Sequence, residues 1–449
     1  MKRKPSLFQA RPATKRATAP LPETLRVESL SHEGRGIARH AGKTIFIRGA
    51  LPGETVKFKL LKQHRRFDEA ECTEVVSPSD MRAAPACPHY SQCGGCDLQH
   101  LSSAEQLTHK QALVLEQLQR LGGLVPLKVE PPIAGPHWHY RRSCRIGINQ
   151  RQKDGSALVG FRRRGSHKLT SVDQCSVVQP AINALLEKLP SILESADQFK
   201  QITHAEVILG DLDGALLLRV KKALPESLLT SLSTLAESHQ LGLYLEPDQG
   251  PIQRTFSFEP SLNYTLPDYN LTLHFEPGDF IQVNAEINRA MIRRAMQWLD
   301  IKPGERLLDL FAGIGNFTLP LATQAGQVVA VEGVEKMVAR ARQNAQQNGL
   351  ENCEFYRADL SSDLRAQPWF RQGFDKILLD PPRTGAAELL SQIHHYNASA
   401  ILYVSCNPAA LARDGEILQQ QGYRLTRFCV MDMFPQTSHI ESLALFEVG

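Results

Sequence analysis

From Arg306 onward the sequence keeps one rhythm, and that rhythm limits the possible folds more than any other feature. Short apolar runs at Arg306–Leu310, Val328–Glu332, Cys353–Tyr356, Lys376–Asp380 and Ile401–Ser405 alternate with stretches of helical periodicity. Strands separated by crossover helices run parallel, and the helices cover both faces of the sheet. Two further strand patterns follow, Arg424–Met431 and Leu443–Val448. The expectation for 278–449 is therefore an α/β, Rossmann-like domain.

At 449 residues the chain has room for about three domains. With 42% apolar and 22% charged residues it suits a globular protein and excludes collagen-like, coiled-coil and disordered classes. No apolar run approaches the roughly 18 residues that cross a bilayer, so no membrane association is expected. Residues 1–22 read as a flexible basic arm; its Lys and Arg flank no apolar core of a secretory signal. Nine cysteines, an odd number spread over a long chain, argue against a disulfide framework and for a cytoplasmic protein with reduced or metal-bound thiols.

Residues 23–80 read as about five short strands. Val56, Phe58 and Leu60 alternate with Lys57 and Lys59, and glycines punctuate the segment. An OB-like barrel with its basic residues outward fits this pattern. Residues 81–277 carry a cysteine cluster, then a helix announced by Ser102 and Glu105 as a capping box, with Leu107, Val114, Leu118 and Leu121 on one face and Gly122-Gly123 at its end. Beyond it lies a mixed α/β region with strands such as Arg145–Ile148 and Ala215–Val220 and helix such as Ala181–Leu189.

A net charge of +4 hides an uneven distribution. Met1–Ala70 holds 16 Lys/Arg against 6 Asp/Glu, and His137–Lys168 holds nine against one. The second stretch interleaves aromatics with cations, in Trp138-His139-Tyr140-Arg141-Arg142 and Phe161-Arg162-Arg163-Arg164. Cations neutralise phosphates and rings stack on bases, so a nucleic-acid partner is expected.

The run Leu307 to Phe317 leads from a strand through Phe311-Ala312-Gly313-Ile314-Gly315-Asn316 into a helix. Thr318 stands where a dinucleotide fingerprint needs its third glycine, which disfavours a pyrophosphate ligand. Glu332 ends the second strand and suits a ribose diol, Asp359 lies past the third and suits an adenine amino group, and Asp380 closes the fourth in Asp380-Pro381-Pro382-Arg383. A ligand with ribose, adenine and positive charge but no phosphate satisfies this set, and S-adenosylmethionine is such a ligand. The domain resembles the class I S-adenosylmethionine-dependent methyltransferases. The resemblance implies that Phe311, Gly313, Gly315 and Asn316 form the turn under the methionine part and that Glu332 holds the ribose. Phe280-Ile281-Gln282-Val283-Asn284 is similar to the Phe-x-Gln-x-Asn segment of RNA uracil methyltransferases, which nominates Gln282 as a further cofactor contact.

Val404-Ser405-Cys406-Asn407-Pro408 puts a thiol at the end of the fifth strand, beside the expected donor. Uracil C5 is a poor nucleophile until a thiolate adds at C6, and a base must later remove the C5 proton. His439 and Glu441, two apart in Ser438-His439-Ile440-Glu441-Ser442, are the base candidates and would point the same way on a strand. The Ser-Cys-Asn-Pro and His-x-Glu segments resemble the RNA uracil-C5 methyltransferases, which implies Cys406 as nucleophile and Glu441 as base. Arg383 replaces the aromatic expected of an amino-methyltransferase.

Cys87-x5-Cys93-x2-Cys96 offers three thiolates, with Cys72, Cys144 or Cys175 as a fourth. Spacing alone leaves a [4Fe–4S] cluster, zinc and unliganded thiols open. Nearly the whole chain after the arm is similar to the bacterial 23S ribosomal RNA uracil-5-methyltransferases that begin with a TRAM domain. That resemblance implies a [4Fe–4S] cluster on Cys87, Cys93, Cys96 and Cys175, with Cys144 the competitor and Cys72 a barrel residue. It also implies a 23S ribosomal RNA partner, with no DNA partner expected and a monomer as the working state. Two rivals stand beside it, a transfer RNA uracil-C5 methyltransferase and a non-catalytic RNA-binding or assembly factor. A pure binding module has no need of the Gly-x-Gly turn, Glu332, Cys406 or Glu441.

Overall fold

The computed structural model describes residues 21–255 and 258–449. The basic arm expected over 1–22 lies, but for its last two residues, outside the described residues. The chain divides into two compact units, one reaching to Arg82 and one running from Ala83 to Gly449.

The first unit contains β1 (Thr24–Arg26), β2 (Ser29–Leu30), β3 (Gly36–His40), β4 (Lys43–Arg48), β5 (Thr55–Gln63) and β6 (Phe67–Ser77). They form one sheet in the order β1-β5-β6-β4-β3-β2, antiparallel except for β4 against β6. Pairing among the described residues does not close from β2 back to β1, so six strands replace the five expected and closure of the barrel is not among the pairings. Val27, Ala38, Ile45, Ile47, Val56 and Ala70 make the core, against which Cys72 packs. On β5 buried Val56 alternates with half-buried Lys57, Lys59 is exposed, and past an irregularity at Leu60–Lys62 both faces of the strand end are exposed.

The second unit begins with α1 (Ser103–Gly122) and the edge strand β7 (Lys128–Val129). Next come β8 (Ser143–Gln150), β9 (Ala157–Arg162), β10 (Leu169–Ser171), α2 (Pro180–Glu194), β11 (Ile202–Leu209), β12 (Gly214–Val220), α3 (Glu226–Glu237), β13 (Leu241–Pro247) and β14 (Gln253–Thr255). Their sheet runs β10-β9-β8-β11-β12-β13-β14, with only β12 and β13 parallel, and α2 and α3 pack on it through residues such as Leu186 and Leu232. A hairpin, β15 (Asn263–Leu266) and β16 (Leu271–His274), leads to α4 (Ala285–Leu299).

The remainder follows the expected rhythm: β17 (Arg306–Leu310), α5 (Thr318–Ala322), β18 (Gln327–Glu332), α6 (Glu335–Gln347), β19 (Cys353–Arg357), β20 (Lys376–Leu379), α7 (Ala387–Ile393), β21 (Ala400–Ser405), α8 (Pro408–Gln420), β22 (Tyr423–Met431) and β23 (Glu441–Val448). The sheet order is β19-β18-β17-β20-β21-β23-β22-β7. β17 to β21 are parallel, and β23 inserts antiparallel between β21 and β22. Chain order reverses between β17 and β20, so a crevice opens past their carboxyl ends.

Helix α1 departs from expectation. Ser102 is its N-cap but makes no side-chain capping bond, and Leu121 is 49% exposed. The buried row is Gln106, Lys110, Val114, Leu118 and Gly122. This i, i+4 row puts the helix against α8 and the C-terminal sheet, and its first two members are polar. No described helix is long and apolar enough to cross a membrane.

Candidate active site

The turn after β17 is built by backbone conformation. Phe311, Gly313 and Gly315 have φ of 65°, 57° and 95°. At Gly315 a Cβ would meet Leu319 Cδ1 at 2.5 Å, whereas at Gly313 it would meet nothing within 4 Å, so the space above Gly313 is open. Glu332, at the end of β18, accepts from Gly313 N–H at 3.0 Å through one oxygen and from Val334 N–H at 3.0 Å through the other. Its carboxylate is thus held at the rim of that open space, with lone pairs left for a diol. Asn316 does not face a ligand with a free amide: it exchanges hydrogen bonds with Asn288 (2.9 and 3.0 Å) and accepts from Tyr264 Oη at 2.8 Å. It locks the turn to α4 and β15. Thr318, in the third-glycine position, donates its hydroxyl to buried Asp309. Burial, with Asp380 and Glu332 nearby, pushes the Asp309 carboxyl up to about 7. Asp359 is exposed just past β19 and accepts from Ser361 Oγ and N–H, which lowers it from the ordinary value.

Gln282 lies in the segment before α4. Its carbonyl accepts from Arg142 Nε at 2.8 Å, and Val283 O accepts from Arg142 N–H at 2.9 Å. Asn284 caps α4 through Ile287 N–H, while Phe280 is 66% exposed.

Nucleophile and base candidates meet through one strand pairing. β21 and β23 pair from Ala400 with Glu447 to Ser405 with Ser442. Cys406 follows Ser405 and Glu441 precedes Ser442, so the two flank the last pair of this ladder, and Glu441 bears electrostatically on Cys406. Asn407 then caps α8, its Oδ1 accepting from Ala409 N–H at 3.1 Å, so the thiol sits at a helix start. Burial, then Glu441 and Asp380, push the Cys406 thiol up to about 11, against Arg383. Burial and Asp380 push Glu441 up to about 8, against Arg383 and Lys110. Burial holds Asp380 at about 7. His439 differs from expectation: β23 begins at Glu441, and His439 precedes it in a loop, where Nδ1 accepts from Arg383 Nη2 at 2.7 Å. Burial and then Arg383 lower its basicity, so it is committed to Arg383 as a neutral ring.

Away from this crevice, Cys87, Cys93, Cys96, Cys144 and Cys175 line one cavity of about 1090 Å³. Among the described residues, no three His, Cys, Asp or Glu side chains converge tightly enough to hold a single metal ion. Cys175 bears electrostatically on Cys87, Cys93 and Cys96, while Cys144 is buried within β8. Arg164 clasps the cysteine loop, donating to the carbonyls of Tyr90, Cys93 and Cys96. Part of the basic stretch is therefore architectural: Arg142 is 1% exposed and Arg164 is taken up by this loop, whereas Arg145, Arg151, Lys153, Arg162, Arg163 and Lys168 are exposed.

Residues 103–448 match the family model described as tRNA (Uracil-5-)-methyltransferase, and residues 23–73 match the TRAM domain. A curated relative from Alkalilimnicola ehrlichii, the 23S rRNA (uracil(1939)-C(5))-methyltransferase RlmD, is 45% identical and covers 95% of this chain and 96% of its own. The proteins of the same name from Xanthomonas axonopodis pv. citri and Shewanella frigidimarina are 44% and 42% identical, covering 94% and 98% of this chain and 96% and 99% of their own. The crystal structure of Pyrococcus abyssi tRNA (uracil-54, C5)-methyltransferase with S-adenosyl-L-homocysteine has a TM-score of 0.73, covering 94% of this chain and 100% of that one. At 23% identity this last likeness establishes the fold alone.

Proposed function

The chain belongs to the tRNA (uracil-5-)-methyltransferase family and carries a TRAM domain, and from that premise we propose that it methylates C5 of a uridine in 23S ribosomal RNA. The names of relatives matched end to end favour ribosomal over transfer RNA as the substrate. The observation that supports the chemistry is the β21–β23 pairing, whose last pair, Ser405 with Ser442, is flanked by Cys406 and Glu441. A ribosomal RNA substrate supports a cytoplasmic location.

The crevice fits S-adenosylmethionine: open space lies over Gly313, and Glu332 stands oriented by two backbone N–H groups. Phe311, Gly313, Gly315 and Asn316 form the turn that bounds it, Glu332 takes the ribose, and Asp359, Gln282 and Asp380 complete the contacts. When bound, the cofactor supplies an electrophilic methyl group. The target uridine leaves its stack, since C6 is out of reach within it. Cys406 Sγ gives up its proton to solvent water and bonds as the thiolate to C6, moving electron density to C5 and O4. C5 takes the methyl group as its bond to the donor sulfur breaks and leaves a neutral thioether, Glu441 removes the C5 proton, and the C6–S bond breaks to return the thiolate.

The four thiols of Cys87, Cys93, Cys96 and Cys175 suit a [4Fe–4S] cluster. They line one cavity together with Cys144, and Cys175 bears electrostatically on the other three; thiolates are the usual ligands of such a cluster. The absorption spectrum and metal content of anaerobically purified protein check this: iron with sulfide is expected, and zinc in its place overturns the assignment.

Tritium release from RNA labelled at uracil C5 tests the main reading. Release from 23S ribosomal RNA and not from transfer RNA is expected. Cys406→Ala should abolish release and keep cofactor binding, and Glu441→Gln should accumulate a covalent RNA–protein adduct. No release from either RNA would leave only a binding factor.

A further inference from the structure

The segment that leads into Glu441 is fixed by elements outside its own sheet. Gln436 has φ 68° although it is not glycine, and it is 2% exposed. Such backbone persists where its surroundings over-determine it. Gln436 N–H donates to Gln106 Oε1 at 2.9 Å, its carbonyl accepts from the N–H groups of Asp97 and Leu98 at 3.0 Å each, and its side-chain Oε1 accepts from Gln106 Nε2 at 3.0 Å. Gln106 Nε2 also reaches Leu98 O and Leu101 O, at 3.1 and 2.8 Å. One turn along α1, Lys110 Nζ donates to Asp432 Oδ1 at 2.9 Å and to Phe434 O at 3.0 Å, with Lys110 and Asp432 each 1% exposed.

This is an uncommon use of a helix face. Val114 and Leu118 already seat α1 in the core, and apolar residues at 106 and 110 would extend that packing. Replacing a buried ion pair by apolar residues of similar volume is often neutral or stabilising, so fold stability does not explain the polar choice. What these groups supply is register: they hold both the start and the middle of the Asp432–Ile440 segment. We infer that Gln106 and Lys110 are positioning residues for proton abstraction, setting the loop that delivers Glu441 to C5 of the methylated adduct. The inference rests on the reading of Glu441 as the base. The step affected is the last one, in which the C5 proton passes to the Glu441 carboxylate and the C6–S bond breaks. Attack by Cys406 depends on β21 and α8, and the side-chain hydrogen bonds of Gln106 and Lys110 go instead to Leu98, Leu101, Asp432, Phe434 and Gln436.

The test uses the full chain, S-adenosylmethionine and 23S ribosomal RNA. Lys110→Met with Asp432→Leu removes the pair without stranding a buried charge, and Gln106→Met removes the amide at similar length. Adduct formation and decay are followed on denaturing gels, with cofactor affinity measured alongside. Affinity and adduct formation should stay within about twofold of the parent while adduct decay slows by about tenfold or more. Decay at the parental rate in either folded variant overturns the inference. So does loss of cofactor binding and adduct formation in step with decay, the mark of a merely structural role. If the double variant does not fold, the Lys110 pair is structural and Gln106→Met decides for the amide. Trapping by Glu441→Gln alongside normal decay in these variants removes only this inference; normal decay in Glu441→Gln removes the base assignment and the inference with it.

Discussion

Glu441 enters the fold as an acid held at about 8, beside Asp380 at about 7. A raised carboxyl binds its proton more tightly in the folded chain than in the unfolded one. Its stabilising contribution is complete below the ordinary value of 4.5 and is lost as pH climbs toward 8. Glu441→Gln should therefore raise the melting temperature of the ligand-free protein, by more at pH 8 than at pH 5, as thermal melts at the two values will show. Proton abstraction has the opposite dependence: it needs the carboxylate, so adduct decay should quicken up to about pH 8 and then level off. Rapid-quench time courses across that range check the slope. Glu332, Cys406 and Glu441 were legible in the sequence because each sits in a short motif at a strand end. Asp309 was not, since it is buried inside an apolar strand and its partner Thr318 resembles a defect in a glycine pattern. Nor was the commitment of Asn316, whose partners Asn288 and Tyr264 come from elements remote in sequence.

Among elements, the strands of the last third were legible to within a residue or two at their ends, because strands buried on both faces read as continuous apolar runs. Helix α1 was misread in its face. Its leucines suggested an apolar stripe, but the buried row begins with Gln106 and Lys110, whose polar partners lie more than 300 positions away in the chain. The same row ends at Gly122, where an added Cβ would come within 2.3 Å of Ala412 O on α8. The obstacle is backbone, so it cannot rotate aside. Gly122→Ala should cost about 1–3 kcal/mol, seen as a lower urea midpoint with an unchanged slope.

At the scale of the whole molecule, composition and charge pointed to several domains and a nucleic-acid partner, but they could not say which arginines face solvent. Arg142 and Arg164 look like their neighbours in sequence and are spent on Gln282 and on the cysteine loop. The unit from Ala83 to Gly449 has cores of its own. A chain beginning at Ala83 should fold cooperatively and bind S-adenosylmethionine with unchanged affinity, while its RNA affinity falls and becomes less sensitive to salt. Calorimetry and filter binding at two ionic strengths measure both outcomes. The insertion of β23 between β21 and β22 has one more consequence. A slip by a single position would turn its whole row of side chains to the opposite surface. The two groups proposed to react thus come together only when the β22–β23 hairpin is seated on β21, and warming should extinguish turnover along the same curve that reports melting, with no partly active species between.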